Sequence, residues 1–371
     1  MTTNMEIESQ VNNNQEDLSK HSNVKKIFLK RLLLLVNCAL LSIGNTGGPL
    51  ILRLYFIRGG KRIWLSCWLQ TGGWPLMLLP LIVSYFYRKK KAHGRAKFLF
   101  MTPFLFVAGA LLGVLTGADD YMYAYGVSKL PVSTSSLIIS TQLAFTAGFA
   151  FLIVKQKFTS YTINAIVLLT VGAVILGVRA SSDRPNHESE KEYFTGFFMT
   201  LGASALYGFV LPMVEFSYKK SKTKISYTLV IEMQMVMSIF ATAFCTIGML
   251  VNKDFQAIPR EARQYAIGEG KYYTVLAFNA IIWQFFFLGA VGVIFCASSL
   301  LSGIMIAVLL PLTEILAVAF YHEKFSAEKG IALALSLWGF VSYFYGEFKQ
   351  TNKPNQSLEP ETQIPSVSSQ S

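Results

Sequence analysis

Apolar residues in this chain gather into runs of roughly 18 to 27 residues, close to the about 20 that a helix needs to cross a hydrocarbon core about 30 Å thick. The runs cover residues 31–57, 64–87, 98–126, 133–154, 161–179, 194–217, 227–251, 273–296, 299–320 and 331–348, with short polar stretches between them. Lipid offers no water to a stray amide, so a spanning segment must close its backbone hydrogen bonds within itself. The pattern therefore predicts an all-α integral membrane protein with ten transmembrane helices. Gly44, Gly47, Gly48 and Pro49 are expected to interrupt the first span, and Gly72, Gly73 and Pro75 the second; broken spans suit a binding site or hinge. Gly109, Gly113 and Gly117 recur every four residues in the third span and predict close contact with a neighbouring helix.

The chain also repeats itself. Shifting residues 137–158 by 167 positions lays them on 304–325, with Thr146 on Thr313, Lys157 on Lys324 and Phe158 on Phe325. Five spans per repeat is an odd number, so the two halves run in opposite directions through the membrane. Inverted repeats of this kind place a substrate site near the midplane, where the halves meet. The expected organisation is a first five-helix repeat over 25–180, an extracellular linker over 181–193 and a second repeat over 194–348. Residues 1–24 and 349–371 are polar and too poor in apolar side chains to order themselves, and are read as disordered tails.

Composition agrees with the pattern: 53% of residues are hydrophobic and 15% charged, with a mean hydropathy of +0.43, whereas a soluble domain is about a quarter charged. The net charge of +12 does not point to nucleic acid, because the Lys and Arg sit in short stretches between apolar runs instead of on one face. Counted by alternate loops they divide 19 against 13, with Arg53 inside a span, and the excess places both termini in the cytosol. The sequon Asn355-Gln356-Ser357 is then cytosolic and unused, and the first run is a retained helix with no cleaved leader expected. Cys38, Cys67, Cys245 and Cys296 all lie in apolar runs without metal-ligand spacing. No metal or cofactor is expected, and the oligomeric state is not fixed by the sequence.

Polar groups inside the runs carry the candidate chemistry. A carboxylate at the centre of a lipid-embedded helix costs about 2.5 to 3.5 kcal/mol, so each one needs a partner, a cavity or a proton. Glu232 in the seventh span and Glu314 in the ninth are the clearest cases. Each reads either as a silent partner of Arg53 or a hydroxyl, or as a substrate or proton site. Asp119 and Asp120 close the third span ahead of Tyr121, Tyr123 and Tyr125. That pair reads as a helix end facing headgroups, as an acid at a cavity mouth, or as half of a metal-dependent transferase site whose second acidic cluster is not visible. Asn45, Thr46, Gln70, Gln142, Gln234, Asn279 and Gln284 must face protein or a cavity. An Asn or Gln amide donates and accepts together, the geometry that reads an adenine edge, and Trp68, Trp74, Trp283, Phe285, Phe286 and Phe287 offer rings to a flat heterocycle or to ordinary packing.

Several strings then occur in order: Gly47-Gly48-Pro49, Arg53-Leu54-Tyr55-Phe56, Gly59-Gly60-Lys61-Arg62-Ile63-Trp64, Leu130-Pro131-Val132-Ser133-Thr134-Ser135-Ser136-Leu137-Ile138, Lys155-Gln156-Lys157-Phe158, Phe295-Cys296-Ala297-Ser298-Ser299 and the run from Leu337-Trp338-Gly339 to Phe348. Over about residues 31–350 the chain resembles the plant purine permease family of the drug/metabolite transporter superfamily. The resemblance implies ten helices as two inverted repeats, and proton-coupled uptake of adenine, cytokinins and related purine or alkaloid-like heterocycles at the plasma membrane. Its partners are then a purine-like small molecule, protons and the bilayer. The cavity it implies supports Asn45, Tyr121, Gln142, Trp283, Gln284 and Glu314 as substrate contacts, with Glu232 a bolder choice, and Glu314, Glu232 and Asp120 as candidates for the coupling proton.

Overall fold

The computed structural model describes residues 2–91, 99–130, 135, 138–139, 141–178, 190–321 and 327–351, with side chains from Ile27 onward except at a few helical positions, Glu314 among them. All regular structure among the described residues is helical. The elements are α1 (Thr2–Ile57), α2 (Ile63–Gly72), a 3-10 turn (Trp74–Met77), α3 (Leu78–Lys91), α4 (Pro103–Lys129), α5 (Gln142–Val154) and α6 (Ser160–Val178). They continue with α7 (Glu190–Lys220), α8 (Tyr227–Val251), α9 (Asp254–Gln264), α10 (Glu269–Cys296), α11 (Ser299–Tyr321) and α12 (Ala327–Thr351).

Among the described residues, six stretches are long and apolar enough to cross a bilayer: Ile27–Ile57, Pro103–Lys129, Phe194–Lys220, Tyr227–Val251, Glu269–Cys296 and Ser299–Tyr321. Shorter apolar helices occupy Gln142–Val154, Ser160–Gly172 and Leu333–Gly346. Large apolar side chains point outward along many of them, for example Leu35, Phe86, Leu152, Phe198, Val251 and Trp338. An outer surface of this kind is stable against acyl chains and not against water. The protein is thus an all-α, multi-pass membrane protein. Of the expected tails and linker, residues 352–371 and 181–189 lie outside the described residues.

The two expected breaks come out differently. α1 runs unbroken through Gly44, Gly47, Gly48 and Pro49. Its glycines serve packing instead: a side chain on Gly44 would overlap the backbone of Phe286, and one on Gly48 would meet the Trp283 ring at 2.9 Å. α1 and α10 can therefore lie nearly backbone to backbone. The second run does break. α2 stops at Gly72, the chain turns through Gly73 into the 3-10 segment, and helix resumes at Leu78. Pro75 has no N–H for the carbonyl four residues back, and Gly73 accommodates the Ala280 carbonyl, which any side chain would strike.

The glycine ladder in α4 packs as its spacing predicts. A side chain on Gly113 would overlap the Met237 carbonyl, and one on Gly117 would come within 3.0 Å of the Ala241 carbonyl. α4 thus lies close on α8, and this sets the depth of the acidic residues one turn further along.

At one end of the bundle, the strings Arg53–Phe56 and Gly59–Trp64 make a clasp. Glu261 of α9 accepts from the Tyr55 hydroxyl at 2.5 Å, the Tyr272 hydroxyl at 3.0 Å and the Lys61 amide at 3.1 Å. Arg62 pairs with Asp254 at 3.5 Å, and Asn252 donates to the same carboxylate at 2.8 Å. Burial pushes the Asp254 carboxyl up while Asn252 and Arg62 pull it back, and burial pushes the Tyr265 hydroxyl up to about 12. Through Tyr55, Lys61 and Arg62 the family-like strings here build a joint between the α1–α2 turn and α9.

Candidate functional site

A cleft enclosing about 530 Å³, its open mouth included, lies between the helices. Its polar wall comes from Asn45 on α1, Gln70 on α2, Asp119 and Asp120 on α4, and Gln142 at the start of α5. Facing them are Tyr207 on α7 and Trp283, Phe286 and Phe287 on α10, with Tyr123, Ser204 and Ile306 completing the lining.

The polar wall is left wanting partners. Asp119 and Asp120 are only 8% and 2% exposed, and one carboxylate oxygen of each is buried with no hydrogen-bond partner. The same holds for Gln70 Nε2 and Trp283 Nε1. A buried polar atom left unpaired costs about 1 to 3 kcal/mol. Four such atoms around one cavity, two acceptors and two donors, are what a ligand with donors and acceptors on its edge satisfies. No Lys or Arg is found among the described lining residues. The titratable neighbours of the acid pair are Tyr207 on α7, Cys67 on α2 and Cys245 on α8.

The facing wall is a ring cluster. Tyr207 stacks on Phe286 with centroids 5.7 Å apart and planes 28° from parallel. Trp283 meets Phe286 edge to face at 5.3 Å, and Tyr123 meets Trp283 at 6.1 Å. Stacking of a base on such rings is worth about 1 to 3 kcal/mol.

Of the residues singled out from sequence, the fold brings Asn45, Gln142, Trp283 and Asp120 to the cavity. Asn45 also donates to the Ile306 carbonyl at 3.3 Å, tying α1 to α11. Tyr121, Gln284 and Glu232 are taken elsewhere. Tyr121 follows Asp120 by about 100° around α4 and stacks on Trp64 at 4.1 Å. Gln284 donates to the backbone carbonyls of Gln70 and Thr71 at 3.1 and 3.3 Å. Glu232 is buried near the start of α8, where both carboxylate oxygens accept the Phe100 amide at 2.9 and 3.1 Å beside the entry to α4; Arg88 stands near it and covers the Phe100 ring at 4.2 Å. Its carboxylate is an anchor between α8 and the α4 entry, compensated by bonds to charge worth about 1.5 to 3 kcal/mol each. The Glu314 side chain lies outside the described residues.

Sequence reasoning did not select Tyr207, Ser204, Ala203 or Ile306. The signal on α7 was present: Ala203, Ser204 and Tyr207 share one helical face at the three- and four-residue spacing of a lining stripe. Tyr207 was overlooked because a lone Tyr in an apolar run reads as packing.

A second cleft adjoins the first and shares Tyr123 and Ile139 with it, bounded also by Pro49, Arg53, Ser135 and Thr313. Arg53 stacks over the Tyr321 ring at 5.1 Å, and Tyr321 donates to the Leu50 carbonyl at 2.6 Å.

Comparison with known proteins agrees with this geometry. A solved crystal structure superposes with a TM-score of 0.56 at 15% identity, over 84% of this chain and 97% of the other, a likeness of fold alone. Purine permease 3 of Arabidopsis thaliana is 53% identical over 90% of this chain and 95% of its own, and Purine permease 2 of the same plant is 53% identical over 91% and 98%. Purine permease 21 of Arabidopsis thaliana is 33% identical over 98% of this chain and 92% of its own. The profile of the family PUNUT, described as purine nucleobase transmembrane transport, matches residues 32–353. A bilayer-spanning helical bundle around a cavity of rings, amides and acids is thus joined to a sequence match over most of its length, and the chain belongs to the purine nucleobase transmembrane transport family.

Proposed function

We propose that this protein carries purine nucleobases and their derivatives, adenine and cytokinins included, across the plasma membrane by proton-coupled alternating access. The observation that carries the reading is the central cavity, lined by Asp119, Asp120, Gln70 and Trp283, each with an unpartnered buried atom, together with the rings of Tyr207, Phe286 and Phe287. A planar heterocycle stacks against the rings while its edge pairs with amides and carboxylates. Two neighbouring carboxyl groups with no cation in the described lining share protons instead of both remaining ionised. Proton uptake at one face and release at the other then couples substrate to the proton gradient. Asp120, with Asp119 beside it, is the first candidate for that proton. Glu314, one residue beyond the Thr313 that lines the second cavity, is the next.

The frame for this motion is two inverted five-helix repeats of the drug/metabolite transporter fold, residues 25–180 and 194–348 joined by 181–193, with ten transmembrane helices and both termini in the cytosol. Exchanging the halves matches α1 with α7, α2–α3 with α8, α4 with α10, α5 with α11 and α6 with α12. Under that exchange the α1–α10 seam becomes α4–α7 and α5–α7 becomes α1–α11, while α2–α8 and α6–α12 map onto themselves, and each of these pairs packs together. Thr146 and Thr313, related by the 167-residue shift, both donate to the carbonyl four residues back at 2.9 Å. These correspondences support the repeat.

Membership in a transport family leaves the transferase reading of Asp119 and Asp120 without support. A sister reading, transport of alkaloid-like or vitamin-like heterocycles, uses the same cavity and is separated by competition. Uptake of radiolabelled adenine and zeatin, measured at two external pH values and challenged with a panel of heterocycles, tests both. Accumulation that rises at acidic pH and is lost in Asp120→Asn is expected. Uptake indifferent to pH in wild type and unchanged in Asp120→Asn and Glu314→Gln refutes coupling.

A further inference from the structure

We propose that Gln284 is a positioning residue of the substrate site, which holds the broken end of α2 so that Gln70 lines the cavity together with the α4 acids. This inference rests on the reading that the central cavity binds the purine.

The break in α2 creates a need that Gln284 meets. In an unbroken helix the carbonyl of Thr71 would accept the amide of residue 75, but Pro75 has none. The Gly73 amide turns back onto the Thr71 carbonyl. Gln284 Nε2 then donates to the carbonyls of both Gln70 and Thr71. Across the same turn Thr242 of α8 donates to the Thr71 hydroxyl at 3.1 Å. Gly73 admits this approach, because a side chain there would strike Ala280 and come within 2.7 Å of Gln284 Cγ. All of these groups are buried, and a carbonyl freed inside a membrane protein finds no water to replace a lost donor.

Gln70 carries the consequence. Its backbone carbonyl accepts from Gln284, the residue lines the cavity and is 1% exposed, and its Nε2 has no hydrogen-bond partner. The register of that donor against Asp119 and Asp120 is therefore set by a residue on the opposite half of the chain. Gln284 itself is absent from the described lining. Its effect on transport runs through Gln70.

The test is a double-mutant cycle on full-length protein, with adenine uptake kinetics normalised to membrane abundance and adenine binding measured on purified protein. Gln70→Leu is expected to raise KM about tenfold, the loss of one hydrogen bond to a ligand. Gln284→Met, similar in size but without the donor, should raise KM about three- to tenfold with the maximal rate per transporter unchanged, since the energy at stake is again one hydrogen bond. The double variant should be no worse than Gln70→Leu alone, because both remove the same donor from the substrate. Effects of the two substitutions that multiply, or a Gln284→Met variant with normal KM and reduced maximal rate, overturn the proposal. If Gln284→Met does not accumulate, Gln284→Asn, which keeps the amide but shortens its reach, takes its place under the same criteria. If Gln70→Leu, Asp120→Asn and Trp283→Ala all leave adenine binding unchanged, the cavity reading itself fails; if they weaken it and Gln284→Met does not, only the positioning role fails.

Discussion

The two halves of the chain contribute different chemistries to one cavity. Asn45, Gln70, Asp119, Asp120 and Gln142 come from the first half and supply most of its hydrogen-bonding groups, whereas Tyr207, Trp283, Phe286 and Phe287 come from the second and supply most of its rings; Tyr123 and Ser204 are the exceptions. Close helix seams join the two halves, α1 on α10 and α4 on α7, but the side chains the two halves present to the cavity differ. A planar heterocycle has an edge that wants donors and acceptors and faces that want rings. A frame with two alike walls would offer the same chemistry twice. The difference teaches that packing and recognition are separable here: close helix seams join the halves, and the side chains that line the cavity differ between them.

Several experiments break or sharpen that contrast. The largest effect is expected from Asp120→Asn on the polar wall, which should reduce pH-driven adenine accumulation to background while substrate exchange without a gradient persists; loss of both together would mark a folding defect instead. On the ring wall, Trp283→Ala should raise the adenine KM about five- to 150-fold, from the about 1 to 3 kcal/mol of a base-stacking contact, and Trp283→Phe should recover most of it. The pH dependence should survive both ring substitutions, and its loss there would mean that the two walls do not divide the work. Gly113→Val tests the seam, not the cavity. Because it drives a side chain into the Met237 carbonyl, it should cost about 1 to 3 kcal/mol in stability, read as lower abundance and a lower unfolding temperature with normal KM in the surviving protein. The smallest effect on transport is expected from Glu232→Gln, since its carboxylate is occupied by the α4 entry. The pH profile should be retained, and a flattened one would return Glu232 to the list of proton carriers.

How far the site was legible varies from residue to residue. Asn45 and Gln142 stood out because an amide within an apolar run must turn inward, Trp283 as a ring for a flat heterocycle, and Asp119–Asp120 as an acid pair closing the third span. The inward rule also selected Glu232 and Gln284, and the family resemblance selected Tyr121; these meet the Phe100 amide, the α2 break and the Trp64 ring instead. A requirement for a partner does not say which partner. Gly44 and Pro49 looked like a break and proved to be a seam, whereas Gly73 and Pro75 looked the same and did break. The second case differs because α10 brings Ala280 and Gln284 against the turn, and donors from outside the helix replace those that proline removes.

The amino-acid order by itself determined the solvent, the helical class, the closeness of the α4–α8 contact and the inward facing of the buried acids and amides. Those follow from hydropathy, residue size and the cost of an unbonded polar group, all of which act locally. Only the tertiary structure decided that Asp119, Asp120 and Gln70 share a cavity with Tyr207 and the α10 rings, and that Gln284 serves the backbone of another helix. Such pairings join positions far apart in the chain, 214 residues for Gln284 and Gln70, and their geometry is set by how whole helices rotate and cross as they pack, which no local pattern records.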